Sequence, residues 1–297
     1  MTRLADLAEL ARAPAALSVP GDVLSGAAAA GALGPRTPAL AGASVLLYWA
    51  GMAANDWADR RLDAVERPER PIPSGRVRPS VALGVASGLT AAGLAVATVA
   101  GGRRAAAVAL PLAATIWGYD LRAKNTAAGP AVMAACRGLD VLLGASGGRV
   151  VRALPAALTV AAHTWTVTAL SRREVTGADR RLPGLTLAGT ALIALATPAR
   201  PTPPATGRSG SSRAARLGDL VPAVLAAGYA TRYGRAQARV LADPSPARVR
   251  AAVGAGITGL PALQGALTAR AGARMLGLAV AGAAPLGRRL ARLISPT

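Results

Sequence analysis

Phenylalanine is absent from this 297-residue chain, cysteine and histidine each occur once, and aromatic residues amount to 3%. The single cysteine, Cys136, has no intrachain disulfide partner and reads as a buried structural thiol. Acids are scarce too: 14 Asp and Glu stand against 34 Lys and Arg, for a formal net charge of +20. Charged residues of both signs reach only 16%, well short of the roughly 25% usual in a soluble domain. No CxxC, HExxH or Walker A pattern occurs, so the common thiol-redox, zinc-peptidase and P-loop mechanisms have no foothold.

What is present is apolar surface. Hydrophobic residues make up 52% of the chain and its mean hydropathy is +0.38. Apolar stretches lie at about 15–33, 38–57, 80–100, 104–118, 129–147, 153–171, 182–197, 215–233, 250–268 and 272–288. A helix crossing a bilayer needs about 20 mostly apolar residues. The pattern predicts an all-α polytopic membrane protein, nine or ten transmembrane helices around a central cavity, as a single domain over residues 1–297. Abundant Gly and Ala predict close helix packing. Residues 1–13 carry Arg3, Asp6, Glu9 and Arg12 among Leu and Ala. They lack the plan of a cleaved signal and read as an interfacial amphipathic helix. Residues 198–214, rich in Pro, Ser and Gly, read as a flexible external loop.

The cations are not spread evenly. Arg60, Arg61, Arg67, Arg70, Arg76 and Arg78 follow the second stretch, Arg122 and Lys124 the fourth, Arg172, Arg173, Arg180 and Arg181 the sixth. The positive-inside rule places these loops, and the N-terminus, in the cytoplasm. It also accounts for the high charge without nucleic acid, leaving membrane lipid and an anionic substrate as partners. The setting predicted is a bacterial plasma membrane.

One run concentrates chemistry. In Asn55-Asp56-Trp57-Ala58-Asp59-Arg60-Arg61-Leu62-Asp63 the three acids follow i, i+3, i+7 spacing at the end of an apolar span, which sets them on one helix face. Clustered carboxylates repel unless a cation lies between them, and hard oxygen ligands favour Mg²⁺ shared with substrate phosphates. The bland alternative is a solvated helix end paired with Arg60 and Arg61. The next run, Arg67-Pro68-Glu69-Arg70-Pro71-Ile72-Pro73-Ser74-Gly75-Arg76, is stiff and basic, and its guanidinium groups suit diphosphate oxygens.

These two elements in this order resemble the UbiA superfamily of intramembrane prenyltransferases, with its EboC-like branch nearest. The resemblance implies that Asp56, Asp59 and Asp63 ligate Mg²⁺, that Asn55 supports them, and that Arg70 and Arg76 hold the diphosphate of a prenyl donor. It also implies transfer of the isoprenyl group to a small aromatic or lipophilic acceptor inside the membrane, with the active site opening to the cytoplasmic side. Lys124 is the only lysine in the chain. With Tyr119 it resembles the family's YxxxK diphosphate clamp, but Tyr119-Asp120-Leu121-Arg122-Ala123-Lys124 is one residue longer. The alternative for Lys124 is an ordinary cytoplasmic anchor.

Further along, Arg137 and Asp140 are three apart in an apolar run, where each ionisable group costs roughly 2.5–3.5 kcal/mol to insert. They are expected to pair on one helix face, either as a cavity wall or as a structural ion pair. The family's second acidic motif, close to DxxxD, is degraded: Glu174 and Asp179 are five apart and diverge by about 140° on a continuous helix. His163 and Gln264 read equally as cavity groups or as helix–helix hydrogen-bonding groups. The rival function is a UbiA-like protein that has lost catalysis and binds or transports a lipophilic metabolite. A transporter should show paired Gly/Pro-broken helices, and none is seen.

Overall fold

The computed structural model describes residues 3–12, 18–197 and 220–283. The external loop expected at 198–214 and the basic tail beyond 283 lie outside them. The described residues are helical throughout: α1 (Leu4–Leu10), α2 (Pro20–Ala30), α3 (Thr37–Glu66), α4 (Pro79–Gly118), a π-helical turn (Tyr119–Ala123), α5 (Gly129–Ala145), α6 (Val150–Ser171), α7 (Arg181–Ala196), α8 (Val221–Ala242), α9 (Pro246–Arg270) and α10 (Arg274–Ala283). Each apolar stretch of the sequence holds a helix.

Proline at the first or second position starts α2, α3, α4, α5, α8 and α9. Its fixed φ suits a helix start, where its missing N–H costs nothing. Glycine does the opposite at two breaks. Gly31 ends α2 in the left-handed conformation, φ 68°. Gly102, at φ 64° and ψ −156°, interrupts α4. Trp117 Nε1 donates to Thr90 Oγ1 at 3.1 Å across that break, so 79–101 and 103–118 lie antiparallel, as two spans.

Among the described residues three helical segments are long and apolar enough to cross a membrane: Thr37–Glu66, Val150–Ser171 and Pro79–Ala123, the last broken at Gly102. The chain is an all-α polytopic membrane protein. Its helices pack in consecutive pairs, α3 with α4, α5 with α6 and α8 with α9, and α2 inserts among α3, α5, α6 and α9. That insertion depends on glycine. A Cβ on Gly26 would collide with the Val141 carbonyl, and one on Gly144 with the Val23 carbonyl. The two backbones therefore touch with no side chain between them, as small residues allow in membranes.

Two apolar clusters form the core. One joins α5, α6, α8 and α9 around Val160, Tyr229, Tyr233 and Leu263. The other joins α2, α3, α4 and α5 around Val23, Leu47, Ala105 and Leu143. A third cluster pins α1 against α3 and the start of α4 through Leu10, Ala53, Ile72 and Ala86. The α3 helix has 30 residues, about 45 Å of helix against about 30 Å of hydrocarbon. Its far end, with the acidic residues, packs near α1.

Candidate active site

Asp56 and Asp63 are seven residues apart on α3, about 20° apart in helical angle, whereas Asp59 lies about 60° from Asp56. The side chains follow those angles. Arg70 Nη1 sits between Asp56 Oδ1 at 3.3 Å and Asp63 Oδ2 at 2.6 Å. Asp59 turns instead to Lys124, whose Nζ is 2.6 Å away. The expectation of three carboxylates sharing one ligand is therefore modified. Two converge on a single cationic atom, and the third pairs with the lone lysine.

Arg70 reaches its place because the loop after α3 folds back. Val77 N donates to Pro71 O at 2.8 Å, Gly75 supplies a left-handed turn at φ 75°, and Ile72 and Val77 are buried. Arg67 approaches Asp63 at 3.9 Å. Arg76, expected beside the diphosphate, faces the other way. Its guanidinium pairs with Asp6 at 3.0 Å and Glu9 at 2.6 Å on α1, and donates to the Glu69 carbonyl. Hydrogen bonding from the Arg3 backbone N–H and then from Arg76 lowers the pKa of Asp6 below its ordinary value. The same contact raises that of Arg76, through Glu9 first and Asp6 second.

With α1 held down in this way, Arg12 Nη2 lies 2.9 Å from Asp56 Oδ1. Sequence reasoning missed Arg12, because 44 residues separate it from its partner. The sole signal was a basic residue just ahead of the first span.

The site opens into a cavity lined from three helices. Ser44, Leu47, Tyr48, Gly51 and Met52 form one stripe of α3. Leu112 and Ile116 of α4 continue into Tyr119 and Asp120, and Met133, Cys136, Arg137 and Asp140 come from α5. The spacings of three and four are those of helix faces. Asn55 joins cavity and acidic motif: its Nδ2 donates to Asp120 Oδ1 at 3.1 Å. Asp120 went unassigned in the sequence. The extra residue before Lys124 is absorbed by the π turn, with Lys124 N donating to Tyr119 O at 2.9 Å. Tyr119 and Asp120 therefore both face the cavity while Lys124 still reaches Asp59.

The expected Arg137–Asp140 pair does not form. Arg137 Nε lies 2.8 Å from Asp22 Oδ2, and Asp22 also accepts from Gln264 Nε2 at 2.6 Å. Asp140 accepts from the Ser44 hydroxyl, at 2.6 and 2.7 Å to its two oxygens. The insertion of α2 supplies a buried carboxylate that is a stronger partner for Arg137 than its helical neighbour. His163 does not line the cavity. Its Nδ1 is 2.9 Å from the Tyr229 hydroxyl and its ring meets Tyr229 and Tyr233 edge-on, which makes it a helix–helix group. Gln264 is likewise structural.

Glu174 and Asp179 do not join the acidic motif. The Glu174 carbonyl accepts from Arg250, and burial raises the pKa of its half-buried carboxyl, partly offset by Arg250. Asp179 accepts from Leu182 N at 2.9 Å and so caps the start of α7. The loop before them does border the site, since Arg172 donates to the carbonyls of Lys124 and Thr126.

Whether this donor set suits Mg²⁺ follows from Arg70. A single cationic nitrogen within 3.3 Å of two carboxylates marks a position where hard oxygens converge on positive charge. Among the described residues no three acidic, His or Cys side chains form a metal site by themselves. The oxygens of Asp56 and Asp63 thus fit a cation completed by substrate phosphates, the usual manner of holding Mg²⁺.

A family model described as the UbiA prenyltransferase family matches residues 21–197. Digeranylgeranylglyceryl phosphate synthase of Methanothrix thermoacetophila is 55% identical over 49 residues, 16% of this chain and 18% of the relative. Its namesake in Natronomonas pharaonis is 45% identical over 85 residues, 28% of this chain and 31% of the relative. The bacteriochlorophyll synthase 33 kDa chain of Cereibacter sphaeroides is 37% identical over 109 residues, 35% and 36% of the two chains. The aligned stretches thus span 18–36% of these relatives. Two solved structures share the fold at 16% identity. One, concerning digeranylgeranylglyceryl phosphate synthase in membranes, has a TM-score of 0.67 and covers 91% of this chain and 99% of its own. The other, a UbiA homolog from Aeropyrum pernix, has a TM-score of 0.57 and covers 82% and 96%.

Proposed function

The chain belongs to the UbiA prenyltransferase family, and from that premise we propose that it transfers an isoprenyl group from a prenyl diphosphate to a small lipophilic or aromatic acceptor within the membrane. The observation that carries this reading is the convergence of Arg12 and Arg70 on Asp56 and Asp63, with Lys124 on Asp59, at the mouth of an apolar cavity. Carboxylates and cations alternate there, as binding of a metal–diphosphate complex requires. The relatives it resembles are named as digeranylgeranylglyceryl phosphate synthase and bacteriochlorophyll synthase.

The residues divide the work by charge and position. Asp56 and Asp63 would hold Mg²⁺, which supplies positive charge to the departing diphosphate. Arg70 and Arg12, held in place by the carboxylates, offer planar forks that match phosphate oxygens. Lys124 offers a point charge from the opposite side. Developing negative charge is stabilised best by groups already in place, and each of these is tethered by an ion pair before substrate arrives. The apolar walls from Leu47, Leu112 and Ile116 take the prenyl tail and exclude water from the allylic cation. The arginine-rich loop after α3 supports a cytoplasmic opening in a bacterial plasma membrane.

The test is turnover by purified protein with Mg²⁺ and radiolabelled prenyl diphosphates of several lengths. Release of diphosphate or labelling of an acceptor, abolished by Asp56→Ala, is the expected result. One observation favours a second reading: Asp179 accepts from Leu182 N at the start of α7, so among the described residues Glu174 and Asp179 do not form a second acidic pair facing the first. Binding of prenyl diphosphate without turnover would establish a binding or transport protein instead, and no binding would remove both readings.

A further inference from the structure

We propose that Asp120 is the acceptor-binding residue, and that it selects an uncharged, hydroxyl-bearing acceptor over an anionic one. The assignment rests on the prenyl-transfer reading above and adds the class of the second substrate.

Asp120 is 4% exposed and sits in the π-helical turn that follows α4. Single π turns inside longer helices recur at functional sites because the added residue re-aims its neighbours. Here the turn brings Asp120 to the cavity wall without moving Lys124 off Asp59. Asp120 Oδ1 accepts from Asn55 Nδ2. Among the described residues Oδ2 accepts nothing, although an ionised carboxylate has about four acceptor sites. Beside Oδ2 lies the bare Cα of Gly51. A Cβ there would stand 3.6 Å from Oδ2 and 2.8 Å from Ile116 Cγ2. Glycine keeps open the room next to the carboxylate oxygen.

Position fixes the role. Asn55 precedes Asp56 in the chain and holds Asp120, so Oδ2 lies where the donor's diphosphate gives way to its tail. The reacting C1 of a prenyl diphosphate belongs at that junction. The other cavity carboxylate, Asp140, is bound to Ser44, 11 residues from Asn55 on α3, about 16 Å along the helix axis. It is too deep to meet C1.

A carboxylate oxygen in an apolar cavity takes an O–H donor and repels a second carboxylate. In the transfer, the C1–O bond of the donor breaks and its electron pair leaves with the diphosphate. A lone pair of the acceptor oxygen forms the new C1–O bond. The hydroxyl proton passes to Asp120 Oδ2 and from there to water at the mouth.

The experiment uses full-length protein with Mg²⁺, labelled farnesyl diphosphate as donor, and two acceptor probes of matched length, 4-heptylphenol and 4-heptylbenzoate. Wild type should prenylate the phenol about tenfold or more faster than the benzoate. Asp120→Asn should lower transfer to the phenol about 100-fold, the low end of a general-base contribution, with the donor dissociation constant unchanged. Asp120→Glu should recover part of the rate. Gly51→Ala, whose Cβ would stand 3.6 Å from Oδ2 and press on Ile116 Cγ2 at 2.8 Å, should raise KM for the phenol. Equal or faster transfer to the benzoate overturns the proposal. So does an Asp120→Asn protein with unchanged transfer, or one whose donor binding is weakened as far as by Asp56→Ala. Wild type that binds donor yet labels neither probe overturns the acceptor assignment while donor binding stands. Wild type that binds no donor overturns this proposal together with the reading beneath it.

Discussion

At the scale of single residues, the site is a set of carboxylates waiting on cations, and Arg70 is its most heavily shared member. Removing it by Arg70→Ala leaves Asp56, at 7% side-chain exposure, with Arg12 alone, and Asp63, at 3%, with only the distant Arg67. Breaking a buried pair from one side costs about 3–5 kcal/mol. The variant should melt well below wild type, and Mg²⁺ should raise its melting temperature more than that of wild type, because the ion can take the place of the guanidinium. A thermal-shift titration with Mg²⁺ checks this, and equal shifts would remove the metal from the pair. Lys124 has a different task. Lys124→Ala should leave the fold intact and lower kcat/KM for prenyl transfer about 10²–10³-fold, the usual cost of one preorganised donor, read in the labelled-donor assay.

At the scale of elements, α1 and α2 do work that their length conceals. The α1 helix has seven residues, too few to persist unaided, and it is held by Leu10 and by the pairing of Asp6 and Glu9 with Arg76. Asp6 has its pKa lowered, chiefly by the Arg3 N–H and then by Arg76. A carboxyl depressed in the folded state contributes stability that is complete above its ordinary value of 3.8 and is lost as pH falls through the lower, folded value. The share of α1 docking that rests on Asp6 should therefore be lost only below pH 3.8. Hydrogen exchange of the Leu7 and Leu10 amides against pH measures it. The crossing of α2 and α5 makes a sharper demand. Gly144→Leu places a side chain into the Val23 carbonyl and should abolish folded protein in detergent, while Gly84→Leu, which meets nothing within 4 Å, should be tolerated. Size-exclusion profiles of the two separate local sterics from a general intolerance of change.

At the scale of the whole molecule, arrangement of charge against the bilayer predicts orientation. With Cys136→Ser as background, a cysteine at the exposed Arg67 should react with a membrane-impermeant maleimide in inside-out vesicles and remain unlabelled in intact cells. Labelling of intact cells would reverse the orientation assigned from the arginine-rich loops.

Much of this molecule was legible in its sequence because bilayer physics is local. Apolar length sets a span, proline opens a helix, and a run of acids at i, i+3 and i+7 lands near one face whatever surrounds it. Those signals gave the helices and set Asp56, Asp59 and Asp63 near one face with a basic loop behind them, whereas Lys124 entered only through the family resemblance. The tertiary structure alone decided which cation answers which carboxylate. Arg76 goes to α1, Arg12 arrives from across 44 residues, Asp22 takes Arg137 away from Asp140, and a π turn carries Asp120 to the cavity. The reason is that Coulomb attraction and hydrogen bonding act through space and choose the nearest desolvated partner. Nearness is created by helix packing, which no spacing along the chain records.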